Sequence, residues 1–257
     1  KQLEDINIKD NEWRAGEALR FPSDLAIFAE RKNAQRQLLQ CFNDRIPLIL
    51  IHGQRRVGKT SLINFLPHFL KEKFELVAVD LQEGGQLLHL WFGKLYEELR
   101  RVRKDPLSIS MTLPKEPARI WSIIRHELEV TLRLTTGKLI VAFDEFDSLL
   151  LATHLRRSAL QLLRSMLDFS SVNHRVILIF SGTYDLSDFA NTKLSELLRF
   201  HNCREINITY LPYDSCVNLI ATANTDRITF PSQIIDQIYA LTKGHPALIQ
   251  AICKEII

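Results

Sequence analysis

Gly53-Gln54-Arg55-Arg56-Val57-Gly58-Lys59-Thr60 is the stretch from which the fold can be predicted. Glycines in this Gly-x-x-x-x-Gly-Lys-Thr pattern let the backbone curl, so that successive N–H groups can face phosphate oxygens. An apolar run at 48–52 precedes the pattern and a helical run at 61–66 follows it, as the motif requires. A chance match in a chain of this length is on the order of one in a hundred. The pattern therefore predicts a phosphate-binding loop, hereafter the P-loop.

The residues of the P-loop have distinct expected roles. Every residue from Gly53 to Thr60, together with Ser61, is a candidate nucleotide contact. Lys59 is expected to place a positive charge on the β- and γ-phosphates, and the Thr60 hydroxyl to join the ligand shell of Mg²⁺. ATP or ADP with Mg²⁺ is therefore the predicted cofactor.

Five short apolar stretches predict the strands of a sheet. Most of them lack strict polar alternation, which is typical of strands covered on both faces. They are 48–52, 76–80, 139–143, 176–180 and 205–208. Segments with helical spacing lie between them, at 87–102, around 120–128 and at 155–167. This alternation predicts an α/β fold, a three-layer P-loop NTPase sandwich around a five-stranded, mostly parallel sheet.

The character of the sequence changes after Pro212. Helical segments begin near Asp214, near Ser232 and at Gly244-His245-Pro246, and no strand-like run follows. We therefore expect a leader at 1–20, a P-loop NTPase core at 21–212 and a C-terminal helical lid subdomain at 213–257. Three prolines between 103 and 117 predict a loop inside a long insertion between the second and third strands. Because the chain starts without Met, we expect the parent protein to be longer.

Two carboxylates end the third predicted strand, at Asp144 and Glu145. Because the carboxyl ends of parallel strands face the ligand in such folds, both acids are expected at the phosphates. Asp144 would hold Mg²⁺, directly or through water, and Glu145 would polarise the attacking water. The alternative is that the acids only favour a helix N-terminus. Asp147 is predicted to cap a helix.

Ser181 and Arg199 are further catalytic candidates. Ser181 ends the fourth predicted strand, where a hydroxyl could contact the γ-phosphate or position water; the alternative is a plain turn residue. Arg199 precedes the fifth strand and could stabilise charge on the γ-phosphate, in its own subunit or a neighbouring one. A solvated surface arginine is the alternative for Arg199, and Arg204 is a weaker candidate for the same role.

Composition narrows the setting of the protein. Net charge is only +3, too small to indicate nucleic acid, and no apolar run approaches the length that spans a bilayer. The four cysteines are far apart, which predicts reduced thiols and a cytoplasmic location. The histidines show no metal-binding spacing. Basic clusters at 100–104 and 156–157 are predicted to be solvated helix faces.

Taken together, the motifs resemble those of the STAND-type signalling ATPases, in the AAA+-related branch of P-loop NTPases, and especially the bacterial and archaeal AAA-like ATPase domains. The resemblance covers roughly residues 20 to 257. It is carried by the P-loop and by Val79-Asp80-Leu81-Gln82, Phe143-Asp144-Glu145-Phe146-Asp147, Phe180-Ser181-Gly182-Thr183 and Gly244-His245-Pro246.

The resemblance implies a nucleotide held between a five-stranded core and a helical lid, often followed by a winged helix. It implies that Pro246 packs near the base. Family members carry a Gly-Arg-Glu element that helps to seat the adenine; here Arg31 matches its arginine, while Glu30 and Lys32 replace the other two residues. Backbone contacts from 27–31 to the base also remain open.

Three functions fit these features. The leading one is a slowly hydrolysing regulatory ATPase switch, with protein partners or fused effector domains and a nucleotide-dependent homo-oligomer as expected associations. The alternative is a DNA-associated AAA+ ATPase similar to archaeal replication initiators, motivated by the basic helices. The third is a nucleotide-binding scaffold that does not hydrolyse its ligand.

Overall fold

The computed structural model describes residues 16–82, 87–105, 113–151, 156–183, 202–221 and 229–256. The chain forms two compact units. The first, here called the sheet unit, comprises 36–53 and 70–207. The second, here called the P-loop unit, comprises the residues up to 35, 54–69 and 208–257.

A five-stranded sheet forms the centre of the sheet unit. Its strands run in the order β2-β3-β4-β1-β5, and each neighbouring pair is parallel. This confirms the α/β fold class, and the sheet is wholly rather than mostly parallel. The strands are β1 Leu48–His52, β2 Phe74–Asp80, β3 Lys138–Asp144, β4 Val176–Gly182 and β5 Cys203–Asn207.

The three central strands are buried on both faces, which explains their unbroken apolar sequences. Val141 and Phe143 of β3 and Phe180 of β4 point into one core cluster with Trp91 and Phe92. The residues between them in sequence, such as Ile140 and Ile179, are also buried, on the opposite face. Side chains on both faces of these strands are therefore shielded from solvent. The alternation of polar and apolar residues that is typical of a half-exposed strand is absent for this reason.

Helices flank this sheet. Helix α1 (Lys32–Asn43) begins in the P-loop unit and ends in the sheet unit. The insertion between β2 and β3 contains two long helices, α4 (Leu88–Val102) and α5 (Pro117–Leu134). Residues 106–112 of the loop predicted between 103 and 117 lie outside the described residues. The helices of the sheet unit after α1 are α4 Leu88–Val102, α5 Pro117–Leu134, α6 Asp147–Leu151 and α7 Arg156–Val172.

The P-loop unit is helical and has its own apolar core. Helix α2 (Lys59–Asn64) follows the P-loop and is separated at Phe65 from the short α3 (Leu66–Phe69), whose Pro67 lacks the backbone N–H that a continuous helix would need. The C-terminal helices are α8 Tyr213–Ala221, α9 Ser232–Thr242 and α10 Pro246–Ile256, as the sequence predicted. Phe65, Leu219, Ile238 and Ile249 are buried together in this core.

Candidate functional site

The P-loop is an irregular turn whose backbone needs unusual torsion angles. Gly58, the last residue before α2, has φ 98° and Arg56 has φ 58°, both in the left-handed region. Glycine adopts such angles without steric cost, which is why it stands at position 58. The second glycine of the motif is therefore required by the shape of the loop.

Hydrogen bonding in the P-loop is one-sided. Two of its carbonyl groups accept side-chain donors: Lys59 Nζ donates to the carbonyl of Gln54 at 2.9 Å, and Arg31 Nη2 donates to that of Val57. By contrast, none of the backbone N–H groups of 54–58 donates a hydrogen bond to another residue that the structure describes. The loop thus offers a row of N–H groups, the chemistry that binds an oxyanion.

Lys59 and the two residues after it differ in their surroundings. Lys59 is buried, so its charge lies against the P-loop rather than in bulk water. Thr60 is half-buried at the second position of α2. The Ser61 hydroxyl accepts a hydrogen bond from the N–H of Leu19 at 3.0 Å, so the structure gives this side chain a tie to the preceding segment.

Arg31 and Pro246 lie in the same unit as the P-loop. The Arg31 guanidinium is half-buried and donates to two backbone carbonyls, those of Val57 and Thr209. Burial lowers its pKa to about 10, which leaves the side chain charged at neutral pH. Pro246 is the first residue of α10 and lies two residues after Gly244, whose φ of 85° makes a sharp turn. The predicted adenine contacts of both residues remain predictions.

The acids and Ser181 lie at the carboxyl edge of the sheet. Asp144 is the last residue of β3, is buried, and its Oδ1 accepts the N–H of Glu145 at 3.0 Å. Glu145 follows with φ 50°. In β4, Ser181 pairs in register with Ile51 of β1, two residues before Gly53. The same edge therefore carries the two acids, Ser181 and the glycine from which the chain enters the P-loop.

Ser181 is fully buried, and its hydroxyl has no hydrogen-bond partner among the described residues. It lies inside β4, so the alternative of a plain turn residue is wrong. An unpaired buried hydroxyl is rare, since it costs about 1–3 kcal/mol. The Ser181 hydroxyl therefore has a hydrogen-bonding capacity that the described residues leave unused.

Asp147 does not cap a helix, contrary to the prediction from the sequence. Its Oδ2 accepts the N–H of Thr183 at 2.8 Å, while Oδ1 is buried without a partner in the described part of the chain. The carboxylate thus joins the segment after β3 to the end of β4. Asp80 was not predicted as a site residue either, although it ends β2 in register with Asp144. Its position as an acidic residue at the end of a predicted strand was the feature of the sequence that could have identified Asp80 as a candidate.

Arg199 lies outside the described residues, so its proposed role in charge stabilisation stays a prediction. Arg204, the weaker candidate, is an exposed residue of β5. The described residues contain no group of three or more His, Cys, Asp or Glu side chains that could hold a metal ion. Mg²⁺ bound with a nucleotide needs only one or two protein oxygens, because phosphates and water supply the rest. Thr60 and Asp144 are of the right chemistry.

The basic cluster at 100–104 is largely neutralised within the sheet unit. Arg103 Nη2 lies 2.6 Å from Glu127 and 2.7 Å from Asp105, and its side chain is only 4% exposed. Arg101 pairs with Glu98 at 2.5 Å. The prediction of a solvated face is therefore wrong for Arg103, which is an internal ion-pair partner.

The four cysteines are free in the structure, and no helix in the described ranges is long and apolar enough to cross a membrane. The combination of a parallel sheet of this order with a Gly-x-x-x-x-Gly-Lys-Thr turn after β1 defines a P-loop ATPase fold. The family described as AAA domain matches residues 44–189, more than half of the 257 residues. The chain belongs to this AAA domain family.

Solved structures with the same fold include three archaeal proteins. The Walker-type ATPase of Pyrococcus abyssi has a TM-score of 0.67 at 18% identity, covering 95% of this chain and 71% of that one. The ORC1 protein of Aeropyrum pernix in complex with DNA has a TM-score of 0.60 at 14% identity, covering 92% and 62%. The ORC2 protein of the same organism, in ADPNP-ADP complexes, has a TM-score of 0.62 at 14% identity, covering 93% and 62%.

These identities are below 25%, so the similarities establish the fold alone. The chain spans 62% of the length of each of the two ORC proteins. Among curated proteins, none matches the sequence significantly.

Proposed function

We propose that this chain is the ATP-binding, Mg²⁺-dependent and slowly hydrolysing switch domain of a STAND-type regulatory ATPase. The observation that carries the proposal is the one-sided hydrogen bonding of the P-loop. Its carbonyls at Gln54 and Val57 are occupied by Lys59 and Arg31, while the N–H groups of 54–58 find no acceptor among the described residues. A polyphosphate supplies the acceptors that such a row of donors needs.

The geometry of a peptide unit explains how Lys59 supports this arrangement. The carbonyl of Gln54 and the N–H of Arg55 belong to one planar trans peptide and point in opposite directions. By holding the Gln54 carbonyl at 2.9 Å, Lys59 Nζ therefore also orients the Arg55 N–H away from itself. We also propose that the positive charge of this ammonium group stabilises the β- and γ-phosphates.

For hydrolysis we assign roles to the residues at the carboxyl edge of the sheet. Asp144 and Thr60 would provide oxygen ligands for Mg²⁺, which neutralises charge on the phosphates when bound. Glu145 would accept a proton from the attacking water, and Ser181, whose buried hydroxyl has no described partner, would hydrogen-bond to the γ-phosphate or the water. Arg199 would stabilise the charge that develops in the transition state.

The regulatory part of the proposal rests on the placement of the lid turn. Gly244-His245-Pro246 lies in the same compact unit as the P-loop, so a nucleotide held by the P-loop can act on the C-terminal helices. ATP and ADP would then stabilise different arrangements of the protein, which partner proteins, fused effector domains or further copies of the chain would recognise. We also propose a leader at 1–20, a core at 21–212, a lid at 213–257, and a cytoplasmic location.

Replacing Lys59 tests the nucleotide site directly. Lys59→Ala removes the charge and the hydrogen bond to Gln54, so affinity for ADP and ATP should fall about a hundredfold. Isothermal titration calorimetry measures this. Lys71→Ala, at an exposed lysine, serves as the matched control and should bind as the wild type does. Equal affinities in all three proteins would refute the site, provided that circular dichroism shows each to be folded.

A DNA-associated ATPase is the second candidate, because the ORC1 protein with this fold was solved in complex with DNA. The basic cluster that motivated it is weakened as evidence, since Arg101 and Arg103 are paired with acids. A titration with duplex DNA at 50 and 200 mM salt separates the candidates. Several phosphate contacts would make binding fall about 1,000-fold or more over that range. Absent or weak binding at both salt concentrations excludes this candidate.

A further inference from the structure

Three consecutive residues in the P-loop unit connect the P-loop to the lid turn. Thr209, Tyr210 and Leu211 follow β5 and precede α8, and we call them the connector. Each of them makes a contact that bridges segments far apart in sequence. Outside the P-loop and the lid turn, the only residue of these contacts that the sequence had identified is Arg31, and for a different role.

The first contact reaches the C-terminal part of the P-loop through Arg31. One end of its guanidinium donates to the carbonyl of Thr209, and the other end donates to the carbonyl of Val57. The Val57 carbonyl and the Gly58 N–H share one planar peptide and point in opposite directions. Arg31 therefore orients the Gly58 N–H, just as Lys59 orients that of Arg55.

The second contact reaches the N-terminal part of the P-loop through Tyr210. The Tyr210 hydroxyl donates to the side-chain carbonyl of Gln54. The other side of the connector meets the lid turn: the rings of Tyr210 and His245 have centroids 5.1 Å apart with planes tilted by 54°. His245 Nδ1 is buried and has no hydrogen-bond partner among the described residues. Tyr210 thus touches both the P-loop and the turn.

The third contact fixes the connector to the lid turn. The Leu211 N–H donates to the carbonyl of Gly244 at 2.8 Å. The backbones approach so closely that a Cβ on Gly244 would lie 2.1 Å from the Leu211 carbonyl oxygen. Any shift of the connector must therefore move the Gly244-His245-Pro246 turn with it.

We propose that Arg31 and Tyr210 are positioning residues of the P-loop, which they hold at Val57 and Gln54, and that the connector transmits the nucleotide state of the loop to the lid turn. This proposal rests on the proposed nucleotide site and adds to it a means of regulation. In this proposal Arg31 contacts the main-chain carbonyls of Val57 and Thr209 instead of the adenine. Both residues act through backbone or side-chain groups of the loop rather than on the reacting atoms.

The test compares Tyr210→Phe, Arg31→Lys and the matched control Tyr213→Phe in the full chain. Tyr213→Phe removes a hydroxyl of the same kind, one that donates to Asp236 at 2.6 Å within the lid. Three quantities are measured in each protein. They are the Kd for ADP and for a non-hydrolysable ATP analogue, the rate of tryptic cleavage after Arg55 and Arg56 without nucleotide, and the amide exchange of 244–248 with and without nucleotide.

We expect Tyr210→Phe to weaken the binding of both nucleotides about fivefold, which is the effect of losing one hydrogen bond. Arg31→Lys should weaken them about tenfold or more, because an ammonium group cannot serve two carbonyls with fixed fork geometry. Both variants should speed tryptic cleavage in the exposed P-loop and abolish the protection that nucleotide gives to 244–248. Tyr213→Phe should match the wild type in all three measurements.

Each possible result bears on the proposal. If Tyr210→Phe and Arg31→Lys keep wild-type affinity, cleavage rate and nucleotide-dependent protection, the proposal is overturned. A loss of thermal stability without change in those three quantities likewise reduces both residues to structural support and overturns it. If the wild type binds neither nucleotide, the proposed function fails. The positioning role is then decided by tryptic cleavage alone: a faster rate in the two variants supports it, and an unchanged rate refutes it.

Discussion

Glu145 combines a reactive group with an unusual backbone. Its φ of 50° lies in the left-handed region, which costs a non-glycine residue on the order of 1–3 kcal/mol. The surrounding hydrogen bonds hold it there, since Phe146 donates its N–H to the Ser181 carbonyl at 2.8 Å and Ser148 donates its N–H to the Glu145 carbonyl at 2.9 Å. Backbone strain maintained by its neighbours is common at functional sites, which agrees with the role of proton acceptor proposed for this carboxylate.

Glu145→Gln should slow ATP turnover at least about a hundredfold and leave nucleotide affinity close to that of the wild type. The amide keeps the size and the backbone of the glutamate but cannot accept a proton from water. A phosphate-release assay under saturating ATP measures turnover, and calorimetry measures affinity. Glu97→Gln, at an exposed glutamate of α4, is the control. Turnover unchanged by Glu145→Gln would favour the scaffold that does not hydrolyse ATP.

The residues that the sequence identified are those whose role depends on their near neighbours in the chain. Gly58 and Lys59 belong to one turn, and their spacing alone describes it. Tyr210 could not be found in this way, because its partner Gln54 is 156 residues away and no local pattern marks either end of that contact. Arg31 was found through a resemblance, whereas its contact to the Val57 carbonyl follows only from the fold.

The end of β4 shows how neighbouring elements constrain each other. Asp147, at the start of α6, accepts the N–H of Thr183, and Phe146 stacks on Phe180 with ring centroids 4.4 Å apart. Gly182 lies between these contacts, and a Cβ there would come within 2.9 Å of Asp147 Oδ1. The absence of a side chain at 182 is thus what allows the segment after β3 to approach β4.

Gly182→Ala should therefore destabilise the protein by about 1–3 kcal/mol, because the new methyl group forces the Asp147 carboxylate away. Gly93→Ala is the matched control: Gly93 lies inside α4, and a Cβ there meets nothing within 4 Å. That substitution should stabilise the protein by about 0.5–1 kcal/mol through helix propensity. Urea denaturation of both variants measures the changes. Equal effects in the two variants would show that the contact with Asp147 is unimportant.

At this scale the sequence predicted strands better than contacts. β1 and β4 are buried along their whole length, so their composition reports their position directly. The prediction that Asp147 caps a helix was wrong. A carboxylate at the start of a helix can cap that helix or accept a hydrogen bond from a residue far away in sequence, and the sequence does not distinguish the two. The partner of Asp147, Thr183, is 36 residues away, and only the pairing of β3 with β4 brings the two together.

Across the whole molecule, the division of the chain into two units bears on the proposed regulation by nucleotide. Residues 54–60 of the P-loop group with the C-terminal helices, whereas Gly53, which directly follows β1, belongs to the sheet unit. The segment from 208 to 257 therefore shares a compact unit with the residues that we propose to bind nucleotide. A ligand at the P-loop is in a position to stabilise α8, α9 and α10 without acting through the strands first.

ATP and ADP should accordingly protect different backbone amides in the P-loop unit. A difference between the two nucleotides requires a contact made by one of them only, because a ligand shifts an equilibrium solely through its unequal affinity for the two states. Hydrogen exchange of Glu145→Gln measures this, since slow turnover keeps ATP intact during labelling. We expect the ATP and ADP states to differ at 209–211 and 244–248. Lys59→Ala with the same nucleotides is the control and should show neither pattern. Identical exchange in the ATP and ADP states, with both nucleotides bound, would leave a nucleotide-binding protein but remove the switch.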